Sequence, residues 1–204
     1  MSAPLDPLAP AALDAEQRRL YDAVLASPRG QGPTRRFILR DDETLTGPFD
    51  AWLRSPELGI HLERAGMAFR THTALSDAAR EVAVLVVAQA WGADFEWWVH
   101  GLVARRVGVP EAAIDAIGHG KRPGFEAADV AAAYDVAAAL VHRRAIDDAT
   151  LERARAALGE RALVEVVTLV GFYQLVSGVL EAFEPPPPSG DLQVVGPPTQ
   201  GTTA

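Results

Sequence analysis

Cysteine is absent from the 204 residues, and lysine occurs once, at Lys121. The first absence excludes disulfides, thiolate nucleophiles, thiol-based peroxide reduction and thiolate metal sites together. The second confines imine chemistry to one residue, in a Gly-rich loop with no apolar pocket to depress its pKa. Positive charge is also scarce: 19 Lys and Arg face 27 Asp and Glu, a net charge of −8. No face that neutralises phosphates is therefore expected, and no nucleic-acid partner. The first residues, MSAPLDPLAPAALDAEQ, lack a basic region followed by an apolar block, so no signal peptide is expected. The most apolar run, Val82–Ala90, is too short to span a bilayer. The expectation is a cytoplasmic protein with no membrane partner.

What is present is nearly all helical in pattern. Hydrophobic residues make up 49% and charged residues 23%, the balance of a globular chain with one sizeable core. Residues 1–12 are rich in Ala and Pro and are expected to be flexible. Residues 13–184 read as one all-α domain. From 185 to 204 the run PPPPSGDLQVVGPPTQGTTA cannot form a helix; Leu192, Val194 and Val195 give it only a weak apolar grip.

Within the domain, Asp14 with Gln17 forms a capping box that opens a helix with Leu20, Tyr21, Val24 and Leu25 on one face. Ser55 precedes Pro56 as an N-cap, and Leu58, Leu62, Ala65 and Phe69 recur at helical spacing. Ser76 caps a helix running to Gly92, and Asp94 is placed as the cap of the next, which Gly108 ends. Helices over 109–118, 126–144, 148–158 and 160–184 complete the reading. No period-two alternation marks a strand.

The stretch WGADFEWWVHGLVARRVGV, residues 91–109, holds an acid and an imidazole in a largely apolar helix. Glu96 and His100 stand at i and i+4, about 40° apart around the helix axis. Burying either without a partner costs several kcal/mol, roughly 2–7 even for a neutral polar group. Two readings follow: a polar pair that locks helix packing, or a coupled pair that holds one mobile proton near neutrality. Glu81, in LSDAAREVAVLVVAQAW, has Val84, Leu85 and Ala88 at +3, +4 and +7, so it projects along the apolar face. It reads either as a first-turn acid favoured by the helix dipole or as a third member of the pair. Arg80 is expected to reach solvent.

Four blocks, GPFDAWLRSPELG, LSDAAREVAVLVVAQAW, FEWWVHGLVARRVGVPEAAIDAI and ALVEVVTLVGFYQLVSGVLEAF, lie in order over roughly residues 44–184. They resemble the carboxymuconolactone decarboxylase/alkylhydroperoxidase D superfamily, in its longer members. The resemblance implies an AhpD-like helical bundle assembled as a trimer or hexamer, and no cofactor. In the alkylhydroperoxidase branch the signature is a glutamate, two cysteines and a histidine. Glu81 and His100 match its ends, while the cysteine positions fall on Ala93 and Glu96, so thiol peroxidase chemistry is excluded.

The decarboxylase branch implies proton transfer coupled to loss of carbon dioxide from a small unsaturated or lactone carboxylic acid. Glu81, Glu96 and His100 are then the catalytic candidates, with Tyr173 and His72 as substrate-binding candidates. Two further readings stay open: a non-catalytic small-molecule binder with the same pocket, and a metal-dependent enzyme using the two acids and the histidine. The acids and histidine depart from the Glu-x-x-His spacing of di-iron bundles, so no metal is expected. GHGKRPG lacks a preceding strand and a following Ser or Thr, so it is not a phosphate loop.

Overall fold

The computed structural model describes residues 5–183 apart from residue 144; the Pro-rich segment after 184, with Leu192, Val194 and Val195, lies outside the described residues. Among these residues the chain forms nine α-helices and no strand, with one isolated bridge between Leu39 and Leu45. The all-α expectation holds. The described residues divide into two compact units, residues 5–72 with 178–183, and residues 73–177.

The first unit holds α1 (Ala15–Ala26), α2 (Pro28–Gln31), α3 (Pro48–Trp52) and α4 (Pro56–Thr71). The Asp14 carboxylate accepts from the N–H of Glu16 and Gln17, and Gln17 Oε1 accepts from the Asp14 N–H, which closes the capping box. Leu20, Tyr21 and Val24 are buried. Before Asp14, backbone groups of Asp6, Leu8 and Pro10 make hydrogen bonds to side chains of this unit. Leu8 N–H donates to Asp50 at 3.1 Å, Arg54 donates to the Asp6 carbonyl, and Arg18 donates to the Pro10 carbonyl.

Two details of α4 differ from the sequence reading. Ser55 occupies the N-cap position without a side-chain capping bond, and Pro56 alone supplies the start signal. The buried face carries Gly59, Glu63 and Gly66, whereas Leu58 is 56% exposed. The physical reason is close approach. A Cβ on Gly59 would lie 2.5 Å from Leu20 Cδ2 and 2.9 Å from Trp52 Cβ, so α4 turns its small residues to its neighbours. Glu63 is admitted to that face because Arg29 pairs with it at 3.0 Å.

The second unit is built around α5 (Asp77–Trp91). Every residue from Ala79 to Ala88 is buried, because α6 (Asp94–Arg106), α7 (Glu111–Gly118) and α8 (Ala128–Arg143) all pack on it. A helix apolar all round needs such cover. Ser76 caps α5 as expected, with its Oγ accepting from the Ala79 N–H. Its last turn closes through Gly92, held in the left-handed region at φ 65°, so α6 folds back along α5. Asp94 is the first helical residue of α6 and not its cap; Ala93 holds that position without a side-chain bond.

The last helix, α9 (Asp148–Phe183), breaks at Gly159, where φ 74° and ψ 168° interrupt the helical backbone. The expected division into 148–158 and 160–184 rests on this glycine. Glu165 accepts from Thr73 Oγ1 at 2.8 Å and from the Ala74 N–H at 2.6 Å, fixing the chain just before α5. By length and composition alone α9 could cross a membrane, though 44% of its most apolar window is buried inside the protein.

Candidate active site

Helix α5 presents Glu81 in its second turn, and the hairpin at Gly92 brings the middle of α6 back to the same level. His100 Nδ1 lies 2.6 Å from Glu81 Oε2, and His100 Nε2 lies 3.1 Å from Glu96 Oε1. The three candidates form one line, carboxylate–imidazole–carboxylate. All three are buried, Glu81 completely. The i, i+4 spacing read from the sequence accounts for the Glu96 contact. The contact to Glu81 comes from the packing of two helices.

Arg80 is the residue that sequence reasoning misplaced. It is buried, not in solvent, and its guanidinium donates from Nε to Glu81 Oε1 at 3.1 Å and from Nη1 to Asp77 at 2.6 Å. Burial of Glu81 and His100 requires local charge balance, and Arg80 is the nearest cation able to supply it. The signal was present as Asp77-x-x-Arg80-Glu81, an acid three residues before an arginine that adjoins an acid the pattern already buries. The inner groups, Arg80, Glu81, His100 and Glu96, are neutral as a set when the imidazole is doubly protonated.

That protonation state is the one the geometry favours. A neutral imidazole has one donor nitrogen and one acceptor, and an acceptor nitrogen facing a carboxylate oxygen meets only lone pairs. With acids at both ring nitrogens, either the ring is an imidazolium or one acid carries the proton. Burial alone would push His100 down. The Glu81 charge and the hydrogen bonds that the ring donates to both acids outweigh it and raise the group above its ordinary value of 6.5. Burial would likewise lower Arg80, and the Glu81 and Asp77 carboxylates keep it firmly charged.

Tyr173, from α9, meets the imidazole edge-on, with ring centroids 5.0 Å apart, and Phe172 packs against Tyr173 in the same manner at 5.5 Å. It therefore joins the cluster as an aromatic wall. His72 belongs to the other unit, where it is the exposed C-cap of α4 with its Nδ1 2.7 Å from Thr71 Oγ1. Among the described residues no group of three or more acids and histidines is disposed to hold a metal ion. Both His100 nitrogens are already engaged by carboxylates.

Chemically, the arrangement can store one proton on a chain of three groups and pass it along without water. Glu81 is fixed from two sides by Arg80 and His100. Glu96 is anchored by His100 and is the acid nearer the surface of the cluster, with 7% of its side chain exposed against 1% for Glu81. No family model, curated protein or solved structure matches this chain.

Proposed function

We propose that this chain is a cofactor-free proton-transfer enzyme, a lyase or isomerase acting on a small unsaturated or lactone carboxylic acid. In this reading it is an AhpD-like bundle related to carboxymuconolactone decarboxylase. The supporting observation is the buried Glu81–His100–Glu96 line, with 2.6 Å and 3.1 Å contacts to the two imidazole nitrogens. A proton poised at that line suits general acid catalysis at neutral pH.

In a decarboxylation the substrate carboxylate leaves as carbon dioxide. The bonding pair stays on the conjugated carbon, and Glu96 or His100 delivers the proton that quenches it. Glu81 and Arg80 then hold the imidazole in place and balance its charge. Tyr173 supplies one apolar wall beside the imidazole. The reading includes a cytoplasmic location and assembly of several copies. Val164, Val167 and Leu175 stand exposed on α9 in support of the assembly.

The test is turnover of a panel of unsaturated and lactone carboxylic acids, followed by carbon dioxide release and by deuterium uptake from heavy water. Glu96→Gln and His100→Asn are expected to remove both signals by at least roughly 10²-fold, the usual contribution of a positioned acid or base. Turnover that persists in both variants would overturn the assignment.

A further inference from the structure

A second feature of residues 73–177 lies apart from the proton-holding line. The loop before α8, the outer face of α8 and the first turns of α9 enclose an open cleft of about 590 Å³. That volume falls within the ~300–1,000 Å³ typical of pockets for small organic ligands. Its polar lining is Arg122, Asp135, His142, Arg143, Thr150 and Arg153, and its floor is the Tyr134 ring with Ala138 and Ala139.

Three guanidinium groups in one cleft are unexpected on a chain of net charge −8. Their partners differ. Arg122 is locked by a two-point pair with Asp135, at 2.7 Å and 3.0 Å, and lies 5.9 Å over the Tyr134 ring. It forms one wall of the cleft. Arg143 reaches Asp147 only at 3.5 Å, in a pair whose side chains are 74% and 51% exposed, so that contact holds little energy. Arg153 donates to the Thr150 hydroxyl at 3.0 Å, a neutral acceptor, and otherwise feels the Asp147 carboxylate only through space, as the last and weakest of the influences that lower that acid. Asp147 is itself held by Thr150, whose N–H and hydroxyl both donate to it. Two arginines therefore line the cleft with donor capacity that weak or neutral contacts engage.

We propose that this cleft binds a small organic anion bearing at least two negative charges on oxyanion groups, with an apolar portion seated on Tyr134, Ala138 and Ala139. Arg143 and Arg153 grip the oxyanions through paired N–H donors, a geometry that guanidinium matches to carboxylate and phosphate alike. Arg122, fixed by Asp135, shapes the wall against which the ligand lies. The site is separate from the Glu81, His100 and Glu96 line and does not depend on the reaction assigned to it.

The experiment is calorimetric titration of the full chain with citrate and with inorganic pyrophosphate at low salt. Binding of at least one probe is expected with Kd below about 1 mM. The double variant Arg143→Ala with Arg153→Ala is expected to weaken it by roughly tenfold or more. Both residues are exposed, so thermal melting of the variant should match the parent. The double variant Arg64→Ala with Arg106→Ala removes an equal charge from exposed positions outside the cleft lining and should leave Kd unchanged. Preference for pyrophosphate assigns a phosphate-bearing ligand, and preference for citrate assigns a polycarboxylate. Absence of heat with either probe up to about 10 mM overturns the proposal. A loss in the Arg64→Ala with Arg106→Ala variant equal to that of the cleft double variant also overturns it, because binding would then follow net charge alone.

Discussion

The Nδ1 atom of His100 stands 2.6 Å from Oε2 of Glu81, and neither side chain is more than 5% exposed. Glu81 also accepts from Arg80, whereas Glu96 meets His100 at the longer distance of 3.1 Å. The two acids should therefore differ in their cost of removal. Glu81→Gln leaves two buried cations facing a neutral amide, and about 3–5 kcal/mol of stability should be lost. Glu96→Gln keeps a hydrogen-bond acceptor at Nε2 and should cost about 1 kcal/mol. Urea denaturation at neutral pH reads both values. Equal losses would show that the two contacts contribute alike.

The pH dependence carries a definite sign. Burial opposes the charged imidazole, but Glu81 and Glu96 win, and the folded-state value of His100 is raised above 6.5. The imidazolium therefore contributes stability in full below the unfolded-state value. That contribution disappears as pH rises through the folded-state value. The wild type should lose stability relative to His100→Gln as pH is taken from about 6 to about 9. A stability difference that stays flat over that range would contradict the charged assignment.

Arg80 should matter more than its exposed partner Asp77. The Asp77 side chain is 66% exposed, so Asp77→Ala should cost at most about 1 kcal/mol. Arg80→Ala withdraws a buried cation from Glu81 and should cost roughly 3–5 kcal/mol. It also removes a like charge near the imidazole, so His100, followed by nuclear magnetic resonance, should titrate still higher.

How much of this was readable in the chain depends on whether a contact is local. The Glu96–His100 contact is set by one turn of helix, and the Asp14 and Ser76 caps by three residues, so spacing alone locates them. The Gly159 break is a local event of the same kind. Arg80 was misread because a guanidinium on a long stem reaches either water or a neighbour, and only the packed position of Glu81 decides which. Leu58 and Gly59 exchanged roles for a similar reason. Periodicity marks a face by hydrophobicity, but close approach to Leu20 and Trp52 selects the face that is small. His72 stands between two threonines in the sequence, and one of them, Thr71, meets its Nδ1 at 2.7 Å. The arginine cleft is spread over residues 122–153, and no motif joins residues that meet only after two helices pack.

The connection at Gly92 sets the register of the site, which makes it the place to separate geometry from chemistry. Gly92 has φ 65° and ψ 28°, a conformation that a side chain disfavours by about 1–2 kcal/mol. Gly92→Ala should therefore lower stability by that amount. The cap bonds from Gly92 to the Ala88 and Gln89 carbonyls and from Ala93 to Ala88 still close the turn, so α6 should keep its register. Because His100 sits eight residues beyond the turn, a register slip would carry it out of reach of Glu81 entirely. The raised His100 titration distinguishes the outcomes. Kept register leaves it unchanged while the melting temperature falls. A slip returns it toward its ordinary value. Loss of the shift in Gly92→Ala would mean that the left-handed glycine, rather than the packing of α6 on α5, fixes the proton-holding line.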